Sequence, residues 1–355
     1  MKKVRVLSLD GGGIRGIIPA TILQYIEKKL IALTNRPTVR IADYFDFIIG
    51  TSTGGILTCF YLTPNLSENG PNARYTTTQA LEFYSKEGYD IFNASKRRSW
   101  FGLASIINAC RYDPSKLESI FKDVFGELRM SDLLKPCLVT TYDLARQSSF
   151  FFSSREEITK QRDFFVKDVA RSTSAAPTYF PSATILNLIS NKKLINIDGG
   201  VFANNPTMCG YAECRNMDFP QAEKPTAAQM LILSIGTGGG RLDLPDIDSS
   251  NHWGLVNWGK SIPNIMMDGS IDTVAYQMKK LYGTLSPENQ LNYKRIDVPR
   301  DKRNYARDMA QASKGNIDDL LYAGQETLND AIKPKDGEHS LDKFIELLIE
   351  NDPDY

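Results

Sequence analysis

The sequence predicts an α/β fold built on parallel strands, with a helical C-terminal portion. Two stretches carry most of that expectation. The apolar run Val4–Leu9 enters Asp10-Gly11-Gly12-Gly13-Ile14-Arg15-Gly16 and then a helical pattern, and residues 45–49 enter Gly50-Thr51-Ser52-Thr53-Gly54-Gly55 and then another. Strand, glycine turn and helix, met twice between residues 4 and 62, make a βαβ beginning with parallel strands. A third observation sets the remainder: beyond about residue 250 the strand signal thins and helical patterns dominate.

Taken in order, the first helix follows from Ile18, Ile22, Ile26 and Leu30, with Leu33 next, at helical spacing. Pro19 falls in its first turn, where a missing N–H costs little. The helix behind the second glycine turn spans 55–62, with Ile56, Leu57, Cys59 and Phe60 as core candidates. Residues 64–75 read as a polar loop. Helices are expected near 77–91 and 114–125, strands over 136–142 and 148–153, and a helix over 164–172. The stretch Ser174-Ala175-Ala176-Pro177-Thr178-Tyr179-Phe180-Pro181 follows. A short strand, 193–197, runs into Asp198-Gly199-Gly200, and another, 229–235, runs into Gly236-Thr237-Gly238-Gly239-Gly240. The last helices are expected at about 260–282, 303–330 and 340–350. No repeat or low-complexity linker divides the chain. The expectation is one domain over 1–355, a motif-bearing core at about 4–240 with the helix-rich portion from about 250 packed on it.

Composition narrows the function classes. Among 355 residues, Lys and Arg number 42 and Asp and Glu number 42, so net charge offers nothing to a nucleic-acid polymer. The hydrophobic fraction of 42% allows a substantial core. The five cysteines (Cys59, Cys110, Cys137, Cys209, Cys214) are scattered and lack CxxC spacing, which argues for free thiols and against zinc. The apolar stretch after Met1-Lys2-Lys3 is short of the roughly 7–15 residues of a secretory signal. No window nears the roughly 18 apolar residues of a membrane span. A soluble, cytoplasmic protein is expected.

The chemistry is concentrated in the two glycine turns. A serine with glycines two residues away on both sides, at a strand-to-helix turn, is the nucleophile-elbow pattern: Gly50, Ser52, Gly54. The first turn supplies backbone N–H groups for an oxyanion, those of Gly12 and Gly13 with that of Thr53 as a third donor. Gly11-x-Gly13-x-x-Gly16 also matches a dinucleotide fingerprint, but the second strand ends at Gly50-Thr51-Ser52 with no acid to hold a ribose. A plain tight turn is the bland alternative. Arg15 reads as a residue that orients the loop or binds a substrate phosphate, or as an ordinary surface arginine.

A serine needs a base. The chain has two histidines, His252 and His339. His339 lies in a polar stretch that reads as a solvated loop. His252 gives the order Ser52, Asp198, His252 of α/β-hydrolase triads, yet neither histidine follows a strand that would aim it at the sheet. Asp198 ends an apolar strand, placing its carboxylate at a strand's C-terminal edge, where open α/β sheets put their sites. A carboxylate of ordinary pKa, about 3.9, is a weak base, and a dry pocket would raise it. In isolation Asp-Gly-Gly reads more readily as a plain turn, and a dyad and a triad both stand at this stage.

DGGGIRG, GTSTGG, SAAPTYFP, IDGG and LSIGTG occur in the order of the patatin-like phospholipase family, and the resemblance covers about residues 4–240. It implies a three-layer α/β/α sandwich with a mostly parallel central sheet, and a catalytic dyad matching Ser52 and Asp198. It also implies an oxyanion loop of Gly11, Gly12 and Gly13 with Arg15, and hydrolysis of phospholipid or related lipid esters without metal or cofactor. Membrane phospholipids would then be the substrate, met by transient peripheral contact at the inner membrane face. Ser95-Lys96-Arg97-Arg98-Ser99-Trp100-Phe101 offers cations and aromatics for such contact, or is a solvated turn, or binds a phosphate-bearing regulator. Some stand-alone bacterial members are antiphage effectors switched on by cyclic oligonucleotides. The resemblance permits a cyclic nucleotide activator here, and no motif demands it. A lipid- or nucleotide-sensing module with a vestigial site is the alternative, and the intact Ser52 and Asp198 argue against it.

Overall fold

The computed structural model describes residues 2–65, 72–94, 110–239, 254–334 and 339–352. One eight-stranded sheet organises them. Its strands are β1 (Val4–Leu9), β2 (Phe47–Thr51), β3 (Cys137–Asp143), β4 (Ser148–Ser153), β5 (Ala183–Leu186), β6 (Lys193–Asp198), β7 (Met230–Ile235) and β8 (Tyr293–Ile296). The order is β8-β7-β1-β2-β3-β6-β5, with β4 also on β3. From β8 to β3 every pairing is parallel. The pairings of β3 with β4, β3 with β6 and β5 with β6 are antiparallel. β1, β2 and β7 are buried from end to end, as central parallel strands covered on both faces must be.

The longer helices are α1 (Ile17–Thr34), α2 (Thr53–Leu62), α3 (Thr77–Ala94), α4 (Ser115–Phe125), α5 (Val166–Thr173), α6 (Thr207–Cys214), α7 (Leu255–Gly283), α8 (Lys314–Ile332) and α9 (Leu341–Glu350). Alternation along the strands feeds two cores. Leu7, Leu9 and Ile48 face one core with Ile18, Ile22 and Ile26 of α1, Leu57 of α2, Leu320 of α8 and Phe344 of α9. Val4, Val6, Phe47 and Ile49 face the other with Cys214 of α6 and Met278 and Tyr282 of α7. Helices on both faces of a mostly parallel sheet make the α/β/α sandwich that the sequence led us to expect.

Three departures matter. β5, β8 and α6 had no clear signal: β8 is four residues long with Lys294 and Arg295 at its centre, the charged short edge strand that offers no apolar run to read. The helix expected from 303 begins at 314, where Ser313 caps it by accepting from Asn316 N–H. Finally, Asp198 does not end a strand parallel to its neighbours, because β6 runs antiparallel to β3.

Candidate active site

Ser52 stands between β2 and α2 with φ of 53°, a left-handed conformation that costs a non-glycine residue free energy. The flanking glycines make the turn possible. A Cβ on Gly54 would lie 2.2 Å from the Leu9 carbonyl oxygen, and one on Gly50 would lie 2.2 Å from that of Gly54. The helix head therefore crosses the sheet at a distance only glycine permits. Ser52 N–H donates to Thr173 Oγ1 at 2.8 Å, and that hydroxyl donates to the Thr140 carbonyl at 2.7 Å. The elbow is thus tied to both α5 and β3.

The sheet brings Asp198 to the serine by an end-to-end meeting of strands. β4 lies along one edge of β3. On the other edge β2 pairs as far as Thr51 with Thr140, and β6 begins where it stops, Asp198 opposite Thr141. Two strands of opposite direction thus point their C-termini at each other. Ser52 Oγ donates to Asp198 Oδ2 at 2.5 Å, while Gly200 N–H donates to Oδ1 at 2.7 Å. Asp198 is 5% exposed, and burial raises its pKa to about 6 although both hydrogen bonds favour the charged form. That value suits a base working near neutrality.

The first glycine turn lies against this pair. Gly11 N–H donates to the Asn204 carbonyl at 3.0 Å, and the Gly11 carbonyl accepts from Thr237 Oγ1 at 2.6 Å. Gly11 therefore shapes the loop rather than offering a donor. Gly12 and Gly13 N–H have no acceptor among the described residues. A Cβ on Gly12 would lie 2.3 Å from Thr237 Oγ1, and Gly13 has φ of 60°. Arg15 is 5% exposed, not a surface residue, and donates weakly to the Arg307 carbonyl at 3.4 Å. Burial lowers its pKa. Asp10, ahead of the glycines, is gripped by Arg295 of β8 through two hydrogen bonds of 2.8 and 2.5 Å.

Beside Ser52 opens a narrow cavity of about 60 Å³. Its walls are apolar, with Ile14, Ile56, Phe83, Phe121, Tyr179 and Met309 among them. Tyr84 closes one side and is itself held by Thr53, whose hydroxyl donates to it at 2.6 Å. His339 is half-buried: its Nε2 lies 3.0 Å from the Leu291 carbonyl and its ring packs on Phe344, both in the C-terminal portion. His252 and the basic-aromatic run at 95–101 lie outside the described residues. Among the described residues no group of His, Cys, Asp or Glu side chains is disposed to hold a metal, and no helix is long and apolar enough to cross a membrane.

Sequence reading missed Thr173, Asn204, Arg295 and Met309. Each acts through a hydrogen bond from a distant segment, and nothing in its own neighbourhood marks it.

Comparison with known proteins agrees with the resemblance read from the motifs. A family profile described as patatin-like phospholipase matches residues 7–208. Patatin-like protein 2 of Oryza sativa subsp. indica is 33% identical over 93% of this chain and 84% of its own. Patatin-like protein 4 of Arabidopsis thaliana is 31% identical over 92% of this chain and 83% of its own. Patatin group J-1 of Solanum tuberosum is 30% identical over 97% of this chain and 89% of its own.

Proposed function

The chain belongs to the patatin-like phospholipase family, whose chemistry is lipid acyl hydrolysis, and from that premise we propose that Ser52 and Asp198 are its catalytic dyad. The observation that carries the reading is the 2.5 Å hydrogen bond from Ser52 Oγ to a buried carboxylate, beside an apolar cavity. Ser52 Oγ attacks the ester carbonyl as its proton passes to Asp198 Oδ2. The carbonyl oxygen becomes an oxyanion that Gly12 and Gly13 N–H, with Thr53 N–H at the head of α2, are disposed to receive. The alcohol half leaves with the proton from Asp198. Water then gives a proton to Asp198 and attacks the acyl-Ser52 carbonyl, and Ser52 departs reprotonated with release of the fatty acid.

The burial of Arg15 favours the loop-orienting role over contact with a phosphate. The proposed substrate is a membrane phospholipid reached by peripheral contact, through phospholipase A or lysophospholipase activity. A cyclic nucleotide activator stays a proposal resting on the resemblance alone.

The test compares wild type with Ser52→Ala and Asp198→Asn on soluble esters and on phospholipid vesicles. Each variant should lose about 10³-fold or more in kcat, and the double variant little more than either, because nucleophile and base act as one unit. A fluorophosphonate should label wild type at Ser52. Substantial turnover by Asp198→Asn would assign the base elsewhere, and a fall of several orders of magnitude in His252→Gln would establish the triad in place of the dyad.

A further inference from the structure

The segment 305–311 belongs to the C-terminal portion, yet it reaches back to the oxyanion loop. Met309 does two things there. Its carbonyl accepts from Ile14 N–H at 2.9 Å, next to Gly13, and a Cβ on Gly13 would lie 2.3 Å from that same oxygen. The same residue lines the apolar cavity beside Ser52. One residue thus touches both the loop that would bind the oxyanion and the space that would take the acyl chain.

The segment is held on both sides. Asp308 Oδ2 pairs with Arg111 at 2.7 Å, while Oδ1 accepts from Tyr179 Oη at 3.1 Å and from Ala310 N–H at 3.1 Å. Tyr179 is itself a wall of the cavity. The Arg111 guanidinium also lies 5.6 Å from the centroids of the Tyr112 and Tyr179 rings. Behind the segment, Asn316 in the first turn of α8 accepts from Ala306 N–H at 2.6 Å and donates to the Gln311 carbonyl at 2.5 Å. A loop pinned at 306, 308 and 311 can place the carbonyl of residue 309 with little freedom.

We propose that Met309 is the acyl-chain gauge of this enzyme, and that Asp308 is the positioning residue that holds it and the oxyanion loop in register. The inference rests on the Ser52–Asp198 reading and adds to it the part that selects the acyl group. Chain length is read by the Met309 side chain. Turnover depends on the Met309 carbonyl, because a shift of about 1 Å in an oxyanion donor can cost about 10²-fold in rate.

The two roles separate in one experiment on the full-length chain with p-nitrophenyl esters of graded acyl length. Met309→Ala should move the kcat/KM optimum to longer acyl chains, and Met309→Trp should move it to shorter ones, each by about tenfold in the long-to-short ratio. Asp308→Asn should lower kcat about 10- to 100-fold at every chain length while KM stays within about twofold. Should that variant fail to fold by circular dichroism, Tyr179→Phe removes only one hydroxyl from the clasp and should lower kcat in the same chain-independent way. A chain-length profile unmoved by either Met309 substitution overturns the gauge. A fall that appears in KM rather than kcat overturns the clasp. Wild type that hydrolyses none of the esters overturns the dyad reading and this inference with it, so the two failures are told apart.

Discussion

Asp198 illustrates how one residue sets function against stability. Its folded pKa of about 6 lies above the ordinary 3.8, with burial as the main cause. The native state therefore binds this proton more tightly than the unfolded chain does. As pH rises from about 4 to about 6 the group loses stabilisation, at most about 3 kcal/mol, and above 6 the loss is complete. In the proposed dyad Asp198 acts as the deprotonated base, so kcat/KM should rise through pH about 6 and level off above it. Asp198→Asn removes the titration. That variant should be more stable than wild type at pH 8, with the gap closing at pH 4, in urea unfolding followed at both values. A gap that does not change with pH would mean the carboxylate titrates normally. Ser52 and Asp198 were legible in the sequence because each ends an apolar run beside glycines. Thr173, which holds the Ser52 amide, was not: a threonine at the end of a helix looks like any other until the fold brings β2 beside it.

Elements were readable in proportion to their apolar content. β1, β2 and β7 are largely apolar runs, and the glycine turns after β1 and β2 announced the parallel βαβ start. The direction of β6 was invisible, since a strand pattern carries no sign. Yet that reversal sets Asp198 end-on to Ser52. β8 was invisible for the opposite reason, being short and charged. Its Arg295 is the sole ion-pair partner of Asp10 among the described residues and also pairs with Asp297 at 2.7 Å. Asp10 is fully buried, and its pKa is raised to about 6 by burial, which Arg295 partly offsets. Arg295→Met should cost about 3–5 kcal/mol at pH 7, because it leaves a carboxylate buried and unpaired. The cost should shrink at pH 5, where Asp10 takes up a proton. Urea unfolding at the two values checks this, and an equal loss at both would place the damage in packing instead.

At the scale of the whole molecule, the ends of the chain close on each other. Asn351 Oδ1 accepts from Lys3 N–H at 2.7 Å, and Asp352 pairs with Arg36 at 2.9 Å and approaches Arg5 at 3.6 Å. Arg5 is a central-strand residue, 1% exposed, whose other carboxylate is Asp46. α9 buries Leu341, Phe344, Ile345 and Leu348 completely in the core shared with β1 and α1. Each such side chain contributes about 1.5–3 kcal/mol on burial, so their sum approaches the net stability of about 5–15 kcal/mol typical of a folded protein. The motifs of residues 4–240 therefore depend on a segment that carries no motif of its own. A chain ending at residue 340 should be insoluble or fail to react with a fluorophosphonate. Phe344→Ala in the full-length chain should lose about 3–5 kcal/mol while still labelling at Ser52 when folded. A soluble 1–340 fragment that labels at the wild-type rate would make α9 an appendage, and the chain would then not fold as the single unit that we propose.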